Sequence, residues 1–393
     1  MTETPTPPFR RNLRAFIIFL SVLLSVVGGA HYYFWLRLVH DPAWLQPWQG
    51  LSSAVLLLAA LSFPLTIYSR LSRPALFYRL SPFSFFWIGG ALLLLLSLAS
   101  VDLGDLGLAW SGHAAMSPRL GAVVGLGLAL TLIAWAMTQA RPRVVRREIQ
   151  LTLLPPAFNG FKIAQISDLH VGGRVDRAYV EDVVAQTNAL EPDLIAITGD
   201  LLDSDLESVR DRLEPLQHLR AKHGVYYVTG NHEYFHGIEA WLQEVPRLGL
   251  KLLMNERVRI EQGGASFDLA GVDDFMGRTV PGHGPDFEKA LGGREAGVAS
   301  ILLAHQPKAF PEAQRYGVGL VLAGHTHAGQ MWPFMHLVKL DQPYVAGHYS
   351  AGGTQLYVNQ GTGFWGPPLR LGTRSEITLL TLLSPADDRP KAA

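Results

Sequence analysis

Four long apolar runs in the first 140 residues constrain the fold more than any other feature of the sequence. They lie at about 15–38, 51–68, 83–101 and 120–140. Each is close to the roughly 20 residues that an α-helix needs to cross the hydrocarbon core of a bilayer. None shows the charged face of a helix in a water-soluble bundle. The pattern predicts that residues 1–140 form an all-α transmembrane bundle of four helices.

A cleaved signal peptide is the alternative interpretation of the first run, because Arg10, Arg11 and Arg14 precede it. The apolar stretch continues, however, through "HYYFWLRLV", and three further runs follow it. These features favour a multi-pass membrane protein.

The arginines in the connections predict the orientation in the membrane. Ten of them flank the runs on one side, at positions 10, 11, 14, 70, 73, 79, 141, 143, 146 and 147. Only Arg37 and Arg119 lie on the other side. Because cytoplasmic loops carry the excess of Lys and Arg, we expect both termini and the region after residue 140 to be cytoplasmic, in an inner (cytoplasmic) membrane.

The charged side chains change in density near residue 140, which indicates a domain boundary. Residues 1–140 hold 12 of them and residues 141–393 hold the other 54, of which 25 are basic and 29 acidic. A mildly acidic second part argues against a nucleic-acid partner. The chain has no cysteine, which excludes disulfides and thiolate chemistry. We expect a linker and first strand at 141–159, a folded domain at 160–384 and a disordered tail at 385–393.

From residue 161 onward, short β-rich runs alternate with helical patterns, and five of the runs end in Asp, Asn or His. In layered α/β folds, ligands bind beyond the carboxyl ends of the strands. Five such endings favour one shared site over five unrelated turns. The residues concerned are Asp168, His170, Asp200, Asn231, His232, His305, His325 and His327.

In order and spacing, these endings resemble the calcineurin-like metallophosphoesterases. The resemblance runs from about Phe161 to Leu383. The stretches "AGVDD", "GHTHAGQ" and "YVNQGTGFWGPPLRLGTRSEIT" are similar to membrane-associated bacterial phosphodiesterases of the YkuE/YaeI type, and the first 140 residues to the membrane part of transmembrane proteins with a metallophosphoesterase domain. The resemblance implies an α/β fold, the metallophosphoesterase sandwich of two mixed β-sheets flanked by helices.

The resemblance also implies a role for each residue at the site. One metal ion would be held by Asp168, His170 and His327. A second would be held by Asn231, His305 and His325, and Asp200 would bridge the two. His232 would act on the leaving oxygen, with Asp203 orienting it; the alternative for Asp203 is a solvated turn carboxylate. Mixed oxygen and nitrogen ligands suit two divalent ions of the Mn, Fe, Zn or Co type better than Mg or Ca.

The activity implied is that of a hydrolase, a phosphodiesterase-type enzyme that cleaves a phosphodiester or pyrophosphate bond with a metal-activated water. A membrane anchor favours a lipid-linked substrate. The alternatives are a phosphoprotein phosphatase and a catalytically silent membrane scaffold or sensor, although such a scaffold typically lacks some of the ligands.

Four further residues are candidates for substrate contact. Arg174 and Arg370 are predicted to grip a phosphate, with structural ion pairing as the alternative. Trp332 and Phe334 lie in the apolar segment 329–349, which shows neither a helical nor a strand period. We expect this segment, with Phe364 and Trp365, to form an apolar wall that orients a lipid; the alternative is that it packs in the core.

Overall fold

The computed structural model describes residues 13–72, 75–113 and 120–385 of the chain. It divides into two compact units: residues 1–133 with 366–368, and residues 134–365 with 369–393. Arg10, Arg11, Arg73 and Arg119, on which the predicted orientation partly depends, lie outside the described residues, as does the predicted disordered tail from residue 386.

The first unit consists of long apolar helices. They are α1 (Leu13–Phe34), α2 (Gln49–Ser72), α3 (Ala75–Trp110) and α4 (Leu120–Gln139). A π-helical turn, Trp35–His40, extends α1. Four segments of the described chain are long and apolar enough to cross a membrane. The prediction of four apolar helices ahead of the second unit is confirmed.

Helix α3 is longer than the apolar run that predicts it. It continues past residue 101 to Trp110 and so includes Asp102. The carboxylate of Asp102 accepts hydrogen bonds from Arg37 Nη2 at 2.8 Å and from the Tyr33 hydroxyl at 2.5 Å. The free energy needed to bury a carboxylate is much smaller when hydrogen bonds satisfy it. The helix can therefore continue beyond the point where the apolar run stops.

The second unit contains two six-stranded mixed sheets. Its strands are β1 (Arg143–Gln150), β2 (Phe161–Ile166), β3 (Leu194–Thr198), β4 (Val225–Val228), β5 (Lys251–Leu252), β6 (Glu256–Gln262), β7 (Ala265–Gly271), β8 (Ser300–Leu303), β9 (Leu320–Ala323), β10 (Gly347–Ala351), β11 (Thr354–Val358) and β12 (Glu376–Leu383). The first sheet has the order β1-β12-β2-β3-β4-β5, and the second β10-β11-β9-β8-β7-β6. Strands β2 to β5 are parallel to one another, as are β7, β8, β9 and β11.

Short helices connect the strands of this unit. They are α5 (Arg177–Asn188), α6 (Leu206–Leu213), α7 (Asn231–His236), α8 (Ile238–Glu244), α9 (Phe287–Leu291), α10 (Phe310–Arg315) and α11 (Met335–Val338). Asp176 caps the start of α5, because its side chain accepts a hydrogen bond from Tyr179 N.

Apolar side chains fill three layers of this unit. One cluster lies between the sheets and includes Phe161 and Phe267. A second packs helices such as α5 and α8 on the first sheet, and a third packs α9 and α10 on the second. The predicted sandwich of two mixed sheets flanked by helices is confirmed, and it brings the carboxyl ends of β2, β3, β4, β8 and β9 to one edge.

Candidate metal centre

All seven predicted ligands lie close together in the second unit. Asp168, His170 and His327 form one group, in which each residue offers a ligand atom within 4.8 Å of the others. Asp200, His305 and His325 form another. Asn231 Oδ1 lies 3.0 Å from His305 Nε2 and so joins the second group. Strand ends from both sheets therefore contribute to a single cluster.

The backbone at these positions is held in a conformation that ordinary residues avoid. Nine non-glycine residues of the described chain have positive φ, and five of them are predicted ligands. Their φ values run from 49° at His327 to 71° at His325. A residue of this kind in the left-handed region costs about 1–3 kcal/mol, and such residues cluster at functional sites. Five of the seven predicted ligands therefore have a left-handed backbone conformation, each in a loop that follows a strand.

Two glycines beside the ligands are required for close packing. A Cβ added to Gly230 would collide with the carboxylate of Asp200, and one added to Gly324 with Ser167 Oγ and Asp168 Oδ2. Gly230 thus lets the ends of β3 and β4 approach each other within the first sheet, and Gly324 lets the end of β9 approach the end of β2 across the two sheets.

Asp200 lies at the centre of the cluster. Its Oδ2 atom is 3.2 Å from His305 Nε2, 3.7 Å from His170 Nε2 and 3.9 Å from His232 Nε2. Burial raises the pKa of this carboxyl, but the neighbouring histidines outweigh it and hold the pKa well below its usual value. An ionised carboxylate therefore faces ring nitrogens of both groups.

The donor set fits divalent cations. His305 Nδ1 donates to the Thr198 carbonyl at 2.7 Å, so Nε2 is the ring atom that faces Asp200 and Asn231. Burial lowers the pKa of His170 to about 3, and that of His327 lies well below its usual value for the same reason. The Nε2 atoms of these two neutral rings are only 3.0 Å apart. Two ring nitrogens at this distance can both serve as ligands of one cation, and the mixture of imidazole and carboxylate suits borderline divalent metals.

His232 adjoins the cluster and has its own partner. Its Nδ1 atom donates to Asp203 Oδ1 at 2.9 Å, while Nε2 points towards Asp200. Burial lowers the pKa of His232, but the charges of Asp200 and Asp203 outweigh it and raise the pKa to about 9. The pair has the geometry of an oriented proton donor, and the carboxylate of Asp203 is not free in solvent.

Glu233 and Ser167 are supporting residues that the metal-binding pattern does not single out. The Glu233 carboxylate accepts hydrogen bonds from the backbone nitrogens of Gly230, Asp200 and Leu201. Ser167 Oγ donates to Asp168 and accepts from Thr198 Oγ1. Each residue lies next to a residue of the predicted site in the sequence, and this position is the signal by which its supporting role could have been predicted.

The four predicted substrate contacts differ in position. Arg174 is exposed. Arg370 is fully buried: its Nη2 atom donates to the carbonyls of Gln360 and Gly363 and lies 3.3 Å from His327 Nδ1. Because Nδ1 is on the opposite side of the ring from Nε2, Arg370 stands behind His327 and does not face a substrate, contrary to the prediction.

Trp332 and Phe334 are exposed by 56% and 41%, although Met331 beside them is buried. The alternative that these two rings pack in the core does not hold. Phe364 is partly buried and packs against the core of the first sheet, whereas Trp365 is 47% exposed.

Comparison with known proteins places this site in a family. Residues 161–329 match the family described as calcineurin-like phosphoesterase. A transmembrane protein with metallophosphoesterase domain from Bos taurus is 36% identical over 408 residues, which cover 95% of this chain and 89% of that protein. The metallophosphoesterase YkuE of Bacillus subtilis is 34% identical, over 60% of this chain and 84% of that protein.

A metallophosphoesterase from Helicobacter pylori is 43% identical over 246 residues, 62% of this chain. The chain spans less than two thirds of that relative's own length, namely 65%.

Proposed function

Because the chain belongs to the calcineurin-like metallophosphoesterase family, we propose that it is a membrane-anchored phosphodiesterase that uses two divalent metal ions. The observation that carries the proposal is the buried cluster in which Asp200 faces ring nitrogens of two separate ligand groups. One ion would be held by Asp168, His170 and His327. The other would be held by Asn231, His305 and His325, with Asp200 shared.

The protein's own residues have distinct tasks in this reaction. Bound divalent ions such as Mn or Zn would supply a water of lowered pKa and neutralise the phosphate oxygens. His232 holds a proton on Nε2 and gives it to the leaving oxygen, while Asp203 keeps the ring in the correct orientation through Nδ1. Glu233 fixes the loop that carries His232 relative to Asp200.

A lipid-linked phosphodiester or pyrophosphate is the substrate class that we propose. Phe235 and Trp365 flank the His232 ring at centroid distances of 5.3 Å and 6.3 Å, and both are about half exposed. The side-chain amide of Gln330 pairs with both backbone groups of Trp365, at 2.8 Å and 3.0 Å. Aromatic side chains with this exposure suit contact with an acyl chain or the membrane interface.

Trp332 and Phe334 are exposed as well, and so are the side chains of Leu337 in α11 and Leu340 after it. We assign these residues to the same apolar wall. Soluble proteins rarely expose so many large apolar groups in one short segment without a binding partner. Arg174, also exposed, remains a proposed contact for the substrate phosphate.

The test is hydrolysis by the full chain in detergent after metal removal and reconstitution with manganese. We expect manganese-dependent cleavage of a diester such as bis-p-nitrophenyl phosphate, and a higher kcat/KM on phosphodiester or pyrophosphate lipids from a membrane extract. Chelator-treated protein is the control. Preference for a phosphoserine peptide would favour a phosphoprotein phosphatase, and metal binding without turnover on any phosphate ester would favour a scaffold or sensor.

We further propose that both termini and the second unit are cytoplasmic, on the basis of the arginine distribution. A fluorescent protein that matures only in the cytoplasm should fluoresce when it is fused after Ala393. A periplasmic or extracellular alkaline phosphatase at the same position should stay inactive, and the opposite pair of results would reverse the orientation.

A further inference from the structure

Two adjacent carboxylates, Asp273 and Asp274, lie outside the predicted ligand set but close to it in the fold. They follow β7 of the second sheet, and both are almost completely buried. Buried carboxylates are costly unless hydrogen bonds satisfy them, so their partners indicate what they do.

Asp273 binds residues that belong to the other sheet. Its carboxylate accepts hydrogen bonds from the Thr229 hydroxyl at 2.5 Å and from the Tyr234 hydroxyl at 2.5 and 2.6 Å. Thr229 follows β4 of the first sheet, and Tyr234 lies in α7. These two residues directly precede and follow the sequence Gly230-Asn231-His232-Glu233. One carboxylate therefore holds both ends of the loop that carries Asn231.

Asp274 binds the loop that carries His305. Gln306, the next residue after His305, donates its Nε2 to both carboxylate oxygens of Asp274, at 2.8 Å and 3.0 Å. The backbone nitrogen of Asp274 donates in turn to Thr229 Oγ1 at 3.2 Å and to Asp273 Oδ1 at 2.8 Å. The two carboxylates thus form one connected unit that reaches both loops.

Asn231 and His305 come from different sheets, yet their ligand atoms are 3.0 Å apart. We propose that Asp273 and Asp274 are positioning residues that set this separation and thereby the affinity of the second metal site, an inference that rests on the metal centre of the proposed function. The side-chain hydrogen bonds that tie the two loops to this pair are 2.5–3.0 Å long, so the link resists the small loop displacements that weaken metal coordination.

The test removes the hydroxyl donors and leaves both carboxylates in place. Tyr234→Phe removes the hydroxyl that donates to Asp273 and lies 3.0 Å from His283 Nδ1. Thr229→Val removes the hydroxyl that donates to Asp273 and accepts from the Asp274 nitrogen. Both variants change the shape of the side chain little. Tyr316→Phe is the matched control, because the Tyr316 hydroxyl also donates to a carboxylate, that of Glu288 at 2.9 Å, outside this network. The metal-free full chain in detergent is titrated with manganese by calorimetry, and its melting temperature is measured without metal.

We expect each loop variant to bind manganese about 10–100-fold more weakly at one of two sites and normally at the other, with a metal-free melting temperature close to that of the control. Unchanged affinity at both sites would overturn the inference, because the network would then have no effect on metal binding. An equal loss at both sites would also overturn it, because a general destabilisation of the fold weakens both sites alike. If the unmodified chain binds none of manganese, zinc, iron or cobalt, the proposed function itself fails, and this result is distinct from any result for the variants.

Discussion

Two neighbouring stretches of the second unit reverse the usual relation between polarity and burial. Thr326 and His327 are polar and only 5% exposed, whereas Trp332 and Leu340 are apolar and 56% and 86% exposed. Only a few residues separate them. Folding stability alone would favour the opposite arrangement, since burial of apolar surface stabilises and burial of polar groups costs free energy.

The difference lies in what holds each stretch. The backbone nitrogen of His325 donates to both oxygens of Asp168, and Thr326 Oγ1 donates to the Val345 carbonyl at 2.5 Å. The backbone nitrogen of Trp332 donates to the Leu371 carbonyl at 2.9 Å, but none of the four residues of α11 is buried. Hydrogen bonds fix the first stretch beside the candidate ligands, and the second presents its side chains at the surface.

Asp200→Asn should have the largest effect of all, and it acts on the metal cluster to which the buried stretch contributes His327. One carboxylate faces both ligand groups, so its loss should remove most bound metal and nearly all activity. Metal content by atomic spectroscopy and diester hydrolysis are the measurements. Asp205→Asn is the control, because Asp205 is exposed and its side chain caps no helix nitrogen. Full turnover with an intact metal count in Asp200→Asn would contradict the two-metal proposal.

His232→Ala should cause the second-largest loss of activity. Removal of one acid–base group typically lowers a rate by about 10²–10⁴-fold. Because His232 is proposed as a proton donor and not as a ligand, the variant should keep its metal. Parallel measurement of kcat and metal content separates the two roles. Loss of metal together with activity would show that His232 is a ligand.

Asp203→Asn should have a smaller effect than His232→Ala. The histidine stays in place but loses the carboxylate that orients its ring at 2.9 Å. Removal of such an orienting partner at a metal site typically costs about 10–100-fold in activity. The measurement is kcat on the diester, with metal content again as the control. A rate equal to that of the unmodified protein would show that the hydrogen bond from His232 to Asp203 is not needed for catalysis.

The sequence predicts the buried stretch much better than the exposed one. Each ligand follows a short β-rich run, and the carboxyl ends of parallel strands meet at one edge, so local patterns lead to the cluster. The link from Asp273 to Thr229 and the position of Arg370 behind His327 depend on contacts between distant segments. Spacing along the chain carries no signal for such contacts.

The exposure of Trp332 and Phe334 is unpredictable for another reason. An apolar side chain has the same identity whether it fills a core or faces a ligand, and cores are the commoner place for it. The extent of α3 is also hard to predict from sequence, because the partners of Asp102, Tyr33 and Arg37, lie on another segment of the chain. Hydropathy alone ends the helix one residue before this carboxylate.

Trp332→Ala and Phe334→Ser should have the smallest effects, and only on one kind of substrate. If each exposed ring contributes about 1.4 kcal/mol to binding a lipid, its removal should raise KM for a lipid substrate about tenfold. Turnover of a small soluble diester should not change, since the metal cluster is intact. The melting temperature should also stay nearly the same, because neither ring is buried.

Two control variants, one at the surface and one in the core, test this prediction. Leu153→Ser removes another half-exposed apolar side chain elsewhere on the second unit. It should change neither the KM for the lipid substrate nor the KM for the small soluble diester. Phe310→Ala removes a fully buried ring and should lower the free energy of unfolding by about 3–5 kcal/mol. If Trp332→Ala behaves like Phe310→Ala, or raises KM for both substrates equally, the exposed stretch supports the fold or the metal cluster and does not bind lipid.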